Sequence, residues 1–267
     1  MTDDIRPVRP DPGPGRPLAL IALLLGIIAA LMVVLAGPGT KMGWWDFRTG
    51  LGTLFKYGAY LGIAAMVVAI VAMLLARRGR RGGTIGTAAA GLLLGLLAFG
   101  MPWGFRHKAQ GVPPIHDITT DWVNPPQLVQ SKALRDSADL HLNTAEYPGD
   151  SIAAQQRKAY PDIRPVMLAM RPEQAYAAVL RTARDMGWDE VDANRDRMAV
   201  EAVATTSWFG FKDDVVIRVT PASGISRVDM RSVSRVGRSD VGANAARIRD
   251  FVAKLKANYK DQVAESN

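Results

Sequence analysis

Three long apolar runs in the first 105 residues constrain the fold of this chain most strongly. They cover residues 18–36, 57–76 and 83–103, and none of them contains a charged residue. At about 1.5 Å per residue, helices of this length cross the roughly 30 Å hydrocarbon layer of a bilayer. Three such runs in one short stretch disfavour the alternative, which is buried helices of a soluble core. The runs therefore predict a three-span transmembrane region at residues 18–105.

The first 17 residues form a proline-rich leader that contains three arginines. A cleavable signal peptide has a short basic start and one apolar run, whereas here the leader is long and two more runs follow. We therefore interpret residues 18–36 as an uncleaved anchor and place residues 1–17 in the cytoplasm.

Basic residues in the short loops indicate the orientation of the spans, because cytoplasmic loops carry an excess of Lys and Arg. Seven lie on the side of the leader and five on the other side. These counts predict that the C-terminal domain, residues 106–267, is extracytoplasmic, and that the protein is a multi-pass protein of the bacterial inner (plasma) membrane with a periplasmic domain. The seven are Arg6, Arg9, Arg16, Arg77, Arg78, Arg80 and Arg81, and the five are Lys41, Arg48, Lys56, Arg106 and Lys108.

The third run contains Gly91 and Gly95, a small-residue pattern that permits close approach between helices. We expect it to serve packing within the three-helix bundle, in preference to dimerisation. No run contains an acidic residue or a histidine in its interior, which disfavours an ion or proton pathway.

The net charge of +8 belongs to the membrane part of the chain. Residues 1–112 carry 12 Lys and Arg against 4 Asp and Glu, whereas residues 113–267 carry 21 of each. Membrane lipid is therefore an expected partner, and nucleic acid is not, because a domain that binds a phosphate backbone is itself basic. The chain has no cysteine, which excludes thiolate chemistry and Cys-ligated metals, and we expect neither a cofactor nor a metal.

The pattern of residues 106–267 predicts a soluble α+β domain. Paired prolines at 113–114 and 125–126 forbid a continuous helix in residues 111–148, so we expect that segment to run extended over the surface. The predicted architecture is a three-helix transmembrane bundle followed by an antiparallel sheet covered by two helices, in a helix-grip-like arrangement. The predicted helices are 150–157, 172–187 and 240–259, and the predicted strands are 166–170, 189–192, 197–207, 213–220 and 227–236.

Four separated blocks of this domain carry a resemblance to a known family. They read PIHDITTD at 114–121, AYPDI at 159–163, WFGFKDDVVIR at 208–218 and DMRSVSRVGRSD at 229–240. In this order they resemble the bacterial and plastid family named domain of unknown function 1499, over residues 113–258. Members of that family often follow membrane spans, so the resemblance implies a domain of this extent behind the bundle. It implies no activity.

A hydrolase is one alternative for the function. Ser151 follows a glycine and an aspartate, as in lipase-like enzymes, but His107, His116 and His141 all precede it, so a cap for the next helix is its expected role. The remaining enzymatic hypothesis combines His116 and Asp117 with Asp213 and Asp214 in one cleft. Adjacent residues of an extended chain point to opposite faces, which makes the His116–Asp117 pair a poor site for one ion.

The last predicted strand and the start of the last helix carry the densest charge. Arg227, Asp229, Arg231 and Arg235 fall on one face of the strand by its two-residue period. They predict either a site for a phosphate or carboxylate headgroup or, as we prefer, cross-strand ion pairs followed by a helix cap from Ser239 or Asp240. The candidate ligand-binding residues are Asp213, Asp214, Arg218, Arg231, Arg235, Arg238 and Asp240.

Taken together, these patterns favour a membrane-anchored, non-enzymatic binding or assembly module of the cell envelope. Its partner would be a lipid headgroup, an envelope polymer or an envelope protein. The alternatives are the hydrolase described above and a structural subunit of a larger membrane complex, for which copurifying proteins would be the sign.

Overall fold

The structure, a computed structural model, describes residues 15–77, 82–136 and 142–264. Its contacts divide the chain into two compact units, Met1–His107 and Lys108–Asn267. Most of the predicted leader, three arginines of the basic loop at 77–81, and His141 lie outside the described residues.

The first unit contains three helices that are long and apolar enough to cross a membrane. They are α1 (Gly15–Lys41), α2 (Lys56–Arg77) and α3 (Gly82–Gln110). A π-helical segment, Arg48–Phe55, precedes α2 and extends the second candidate span to 30 residues. The three long apolar helices of the predicted fold are thus confirmed by length and composition, and each continues beyond its charge-free run.

Small residues bring the three helices close together. A Cβ atom on Gly91 of α3 would lie 2.7 Å from the backbone of Ala22 in α1. A Cβ atom on Gly95 would lie 2.6 Å from the carbonyl oxygen of Gly62 in α2. Because no side chain fits at these distances, both glycines serve contacts inside the bundle, as their spacing predicts.

The second unit is built on an open, antiparallel, six-stranded sheet, which confirms the predicted α+β class. The order of the strands is β1-β6-β5-β4-β3, and β2 also pairs with β6. The strands are β1 (Asp117–Thr119), β2 (Val166–Leu168), β3 (Asp189–Asn194), β4 (Ala199–Thr205), β5 (Lys212–Ala222) and β6 (Ile225–Ser234). The helices are α4 (Gln130–Asp136), α5 (Asp150–Ala159), α6 (Pro172–Asp185) and α7 (Ala243–Asn258).

The main hydrophobic core lies between one face of the sheet and helices α6 and α7. Alternate residues of β5, including Val215 and Ile217, point to this face, and their partners on β6 do the same. Phe251 of α7 is fully buried there and stacks on Trp188, with ring centroids 5.8 Å apart. The core therefore uses the two helices that the sequence pattern predicts.

The other face of the sheet is covered by residues 120–136 and 142–149, which we call the strap. The strap contains α4, a helix that the sequence pattern did not indicate in this proline-rich segment. The carboxylate of Glu201 on β4 explains why the helix starts where it does, since it accepts hydrogen bonds from the amides of Val129, Gln130 and Ser131 at 2.9–3.3 Å. A buried carboxylate thus stabilises the N-terminus of α4.

Polar groups from other segments cover the edge of the sheet that β1 and β2 form together beside β6. Gln156 of α5 pairs with β1 as a strand would: its Nε2 donates to the carbonyl oxygen of Thr119, and its Oε1 accepts from the Thr119 amide. Beside β2, the amide of Ala169 donates to the carbonyl oxygen of Gln262, and Leu168 forms a bridge with Val263.

One local expectation is wrong. Neither Asp150 nor Ser151 caps α5, because the N-cap residue is Gly149 and makes no side-chain hydrogen bond. Gly149 has a φ of 82°, a conformation that glycine adopts without a steric penalty. The chain therefore enters α5 by a glycine turn.

Candidate functional site

Beneath the strap, Asp117 and Arg231 form a fully buried ion pair. Nε and Nη2 of Arg231 donate to the two carboxylate oxygens of Asp117 at 2.9 and 2.7 Å. The same guanidinium donates to the carbonyl oxygens of Pro126 and Ala145. Burial raises the pKa of the neighbouring Tyr147 to about 12, and the charge of Asp117 adds to the shift. These contacts use four of the five N–H groups of Arg231 within the protein.

Asp214 is the second anchor for the strap. Its carboxylate accepts from Nε of Arg135 on α4 at 2.5 Å and from Nε and Nη2 of Arg235 at 2.7–3.2 Å. Arg135 also donates to the carbonyl oxygens of Asn143 and Val233. The guanidinium of Arg135 therefore ties together both limbs of the strap and the sheet.

A third cluster lies where the strap leaves β1. Arg218 and Arg227 both contact the carboxylates of Asp121 and Asp229 at 2.9–3.3 Å. Asp229 also accepts from the hydroxyl of Thr120. The hydrogen bond to Asp229 raises the pKa of Arg227.

On the opposite face of the sheet, Asp213 belongs to a different network. Its carboxylate accepts from Nη2 of Arg247 on α7 at 2.6 Å. Nη1 of Arg247 donates to Oγ of Ser232, and Nδ2 of Asn244 donates to Oγ of Ser234. This network joins the N-terminal half of α7 to the ends of β5 and β6.

Asp240 accepts hydrogen bonds from backbone amides at the start of α7. Its carboxylate accepts from the amides of Gly242 and Asn244, both at 2.8 Å. Burial raises the pKa of Asp240, and the two amide hydrogen bonds act against that shift. Arg238 is exposed, and its carbonyl oxygen lies 3.4 Å from Nδ1 of His116.

The structure does not bring the four hypothetical hydrolase residues together in one cleft. Asp213 and Asp214 are neighbours on β5 and point to opposite faces, each towards its own arginine. Asp117 and Asp214 share the strap face, but Val233 lies between them in the same row, so their strands are separated by roughly 10 Å. In the described residues, no group of three His, Cys, Asp or Glu side chains is arranged to hold a metal ion.

The candidate residues thus divide between several separate networks. Arg218, Arg231 and Arg235 lie on the strap face with Asp214, whereas Asp213 and Asp240 lie on the helix face. Arginine–aspartate ion pairs and, for Asp240, hydrogen bonds from the amides of Gly242 and Asn244 engage all of them except Arg238. These ion pairs and hydrogen bonds hold the strap and α7 on the sheet.

A groove at the first residues of the strap is a different kind of surface. It has a cavity volume of about 560 Å³ and is lined by residues 120–124, Arg164, Pro165 and Arg227. The guanidinium of Arg164 lies over the ring of Trp122, with Cζ 4.4 Å from the ring centroid, and that of Arg157 lies at 5.5 Å. Val123, at the tip of the loop, is 95% exposed.

The groove carries positive charge that no carboxylate of the described residues neutralises. Arg164 donates from Nε to the carbonyl oxygen of Pro161, and Arg157 has only its contact with the Trp122 ring; within the described chain, neither forms an ion pair with a carboxylate. The remaining N–H groups of Arg157 and of Arg164 can therefore donate hydrogen bonds to an anion.

Sequence reasoning missed this groove for a physical reason. Trp122, Arg157 and Arg164 come from the irregular strap, from α5 and from the loop before β2. They share no period, and only the folding of the strap over the sheet brings them together. The one signal in the sequence is a tryptophan inside a polar, proline-rich segment, where a large apolar ring needs a packing partner.

Comparison with known proteins places the second unit in a family. The family model described as Protein of unknown function (DUF1499) matches residues 117–255. The match begins at the first residue of β1 and ends within α7, so it includes the strap and the sheet. No curated protein matches the chain. Because the match covers more than half of the chain, this protein belongs to the DUF1499 family, here preceded by three helices able to span a membrane.

Proposed function

We propose that the protein is a membrane-anchored binding module of the bacterial cell envelope, and that its soluble domain binds an anionic ligand in the groove beside Trp122. One observation carries the proposal: Arg164 lines an open groove, Arg157 lies against the Trp122 ring that also lines it, and neither arginine has a carboxylate partner in the described chain. Unlike the arginines beneath the strap, these two have donors available to a ligand.

The chemistry of the surrounding residues supports binding more than catalysis. The carboxylates nearest the groove, Asp121 and Asp229, are held by Arg218 and Arg227. A carboxylate whose oxygens are already held by two guanidinium groups is poorly placed to accept a proton from a substrate. The groove therefore provides positive charge and hydrogen-bond donors, which suit recognition of an anion.

The orientation of the membrane helices forms part of the proposal. The excess of basic residues in the leader and the 77–81 loop supports a cytoplasmic N-terminus and an extracytoplasmic domain in the inner membrane. Because the chain has no cysteine, Asp196→Cys at the exposed β3–β4 turn introduces a single thiol. A membrane-impermeant thiol reagent should label it in intact spheroplasts; labelling only after lysis would reverse the proposed orientation.

Binding is tested by native mass spectrometry of the full chain after gentle extraction from its own membrane. We expect an anionic ligand to be retained in about stoichiometric amount by the wild type and lost from Arg157→Gln/Arg164→Gln. The matched control is Arg195→Gln, which removes an exposed arginine from the β3–β4 turn and should retain the ligand. A wild-type chain that carries no ligand would overturn the proposal, and a copurifying protein in its place would favour a subunit of a larger complex.

A further inference from the structure

We propose that the groove binds the phosphate group of an anionic membrane phospholipid, and that Val123 enters the bilayer interface beside that headgroup. This inference rests on the proposed function and names the ligand class for the same site.

The donors around Trp122 suit a phosphate group. Arg157 and Arg164 present planar guanidinium groups, whose paired N–H donors match two phosphate oxygens. Nε1 of Trp122 is buried and has no hydrogen-bond partner in the described chain. The two exposed guanidinium groups, and not this buried indole N–H, are therefore the donors that a ligand in the groove meets first.

Charge around the groove favours an anion over a neutral ligand. Arg157, Arg164, Arg218 and Arg227 are opposed there by two carboxylates, those of Asp121 and Asp229. The local excess of two positive charges contrasts with residues 113–267 as a whole, which carry 21 basic and 21 acidic residues. The groove therefore carries local positive charge on a domain whose basic and acidic residues balance as a whole.

The loop that borders the groove is held in one shape before any ligand arrives. Oδ1 of Asp121 accepts from the amides of Val123 and Asn124 at 3.1 and 3.0 Å, which fixes a tight turn. Arg218 donates to the carbonyl oxygen of Asn124 at 2.8 Å. A preorganised loop loses little conformational entropy on binding.

The exposed side chain of Val123 favours a lipid surface over a free anion as the ligand. Its side chain is 95% exposed at the tip of this rigid turn, next to the groove. An inorganic phosphate ion gains nothing from an apolar side chain at that place, whereas a phospholipid headgroup lies directly above acyl chains into which valine can partition.

The short connection to the candidate membrane helices also favours a membrane phospholipid, in preference to a free anion, as the ligand. Six residues, 111–116, separate the end of α3 from β1. Fully extended, they span at most about 20 Å. A domain on so short a connection encounters lipid headgroups at a high effective concentration, so weak individual contacts are sufficient.

The experiment uses Val123→Cys in the full chain, where it is the only thiol, labelled with an environment-sensitive fluorophore. The protein is placed in nanodiscs of phosphatidylcholine with or without phosphatidylglycerol. We expect the fluorescence emission to shift to shorter wavelength, as it does in an apolar environment, only with phosphatidylglycerol. The same label on Asp196→Cys, at the β3–β4 turn, should not respond.

Charge variants then test the two arginines. Adding Arg157→Gln/Arg164→Gln should lower the equilibrium constant for docking about thirtyfold, from roughly a factor of five for each charge at an anionic surface. Arg157→Lys/Arg164→Lys should restore most of the response. Both side chains are exposed, so unchanged thermal unfolding is expected and serves as the folding control.

Three results would overturn the inference: no shift with phosphatidylglycerol, an equal shift in phosphatidylcholine alone, or a shift produced in phosphatidylcholine by inorganic phosphate. The last would identify a free anion as the ligand. An anionic ligand retained in native mass spectrometry together with an unresponsive Val123 label would leave the proposed function standing and remove only the lipid assignment. Loss of both would remove the two together.

Discussion

The buried pair between Arg231 and Asp117 allows a sharp test of the role of the strap. The perturbation is Arg231→Met, which keeps an unbranched apolar stem and removes the guanidinium group with its charge. The control is Arg249→Met, which removes an arginine that donates from Nε and Nη2 to Asp162 at 2.6 and 2.8 Å. Both arginines are bidentate to one aspartate, and the two pairs differ chiefly in burial.

The expected difference follows from exposure. The Arg231–Asp117 side chains are 0% and 1% exposed, whereas those of Arg249 and Asp162 are 44% and 53% exposed. Leaving one charge of a buried pair without its partner costs about 3–5 kcal/mol in the free energy of unfolding. An exposed pair contributes at most about 1 kcal/mol, because water screens it.

The assay is thermal unfolding of the full chain in detergent, followed by tryptophan fluorescence. For a domain of this size, each kcal/mol moves the midpoint by about 2–4 °C, so Arg231→Met should lower it by roughly 6–20 °C. Arg249→Met should lower it by no more than about 4 °C. The double variant Asp117→Leu/Arg231→Met should recover much of the loss, because no buried charge then lacks a partner.

Equal melting of the two single variants would refute the reasoning. It would mean that the strap separates from the sheet before the domain melts, or that water reaches Asp117 in the folded state. No recovery in the double variant would assign the loss to the unpaired carbonyl oxygens of Pro126 and Ala145 instead of to Asp117.

Three further predictions concern other parts of the fold. Gly95→Leu should destabilise the helix bundle by about 1–3 kcal/mol through overpacking, whereas Gly86→Leu should change the stability little, because a Cβ atom there meets no atom within 4 Å. Unfolding by titration with dodecyl sulfate measures both variants, and equal midpoints would contradict the packing argument. Gln156→Leu should cost about 2–4 kcal/mol by leaving an N–H and a C=O of β1 without partners, and the exposed Gln155→Leu less than about 0.5 kcal/mol, both measured by thermal unfolding. Equal losses for the two glutamines would show that the edge of β1 does not depend on the buried amide. Burial raises the pKa of Asp240 above 3.8, so its protonated form favours folding and this contribution is lost as the pH rises through the folded pKa. The midpoint of Asp240→Asn minus that of the wild type should therefore grow from acidic towards neutral pH, and a constant difference would count against the shift.

Periodic segments of the chain were predictable from sequence, because their burial follows from local geometry. The charge-free runs indicated α1, α2 and α3, and the two-residue period of β6 placed Arg227, Asp229 and Arg231 on one face. That face is indeed shared. The pattern did not reveal what covers it, since the covering strap has no period of its own.

The strap shows where local rules stop. Its helix α4 is only seven residues long, too short to be stable through its own hydrogen bonds. It forms because Glu201, some 70 positions away in sequence, accepts hydrogen bonds from its first amides. The pairing of Arg135 with Asp214 is equally non-local. Partner choice among many arginines and aspartates depends on the tertiary fold, which no spacing rule encodes.

The amide of Gln156 has a consequence for how copies of this protein can meet. Molecules confined to a membrane diffuse in two dimensions, so identical domains collide often and with related orientations. An unpaired strand at the rim of a sheet would then act as a template for joining neighbouring sheets. Gln156 fills the hydrogen-bonding positions of Thr119, and the segment around Gln262 fills those beside β2. Addition of a strand from a neighbouring copy is therefore blocked at Thr119 and beside β2, where these groups already occupy the hydrogen-bonding positions.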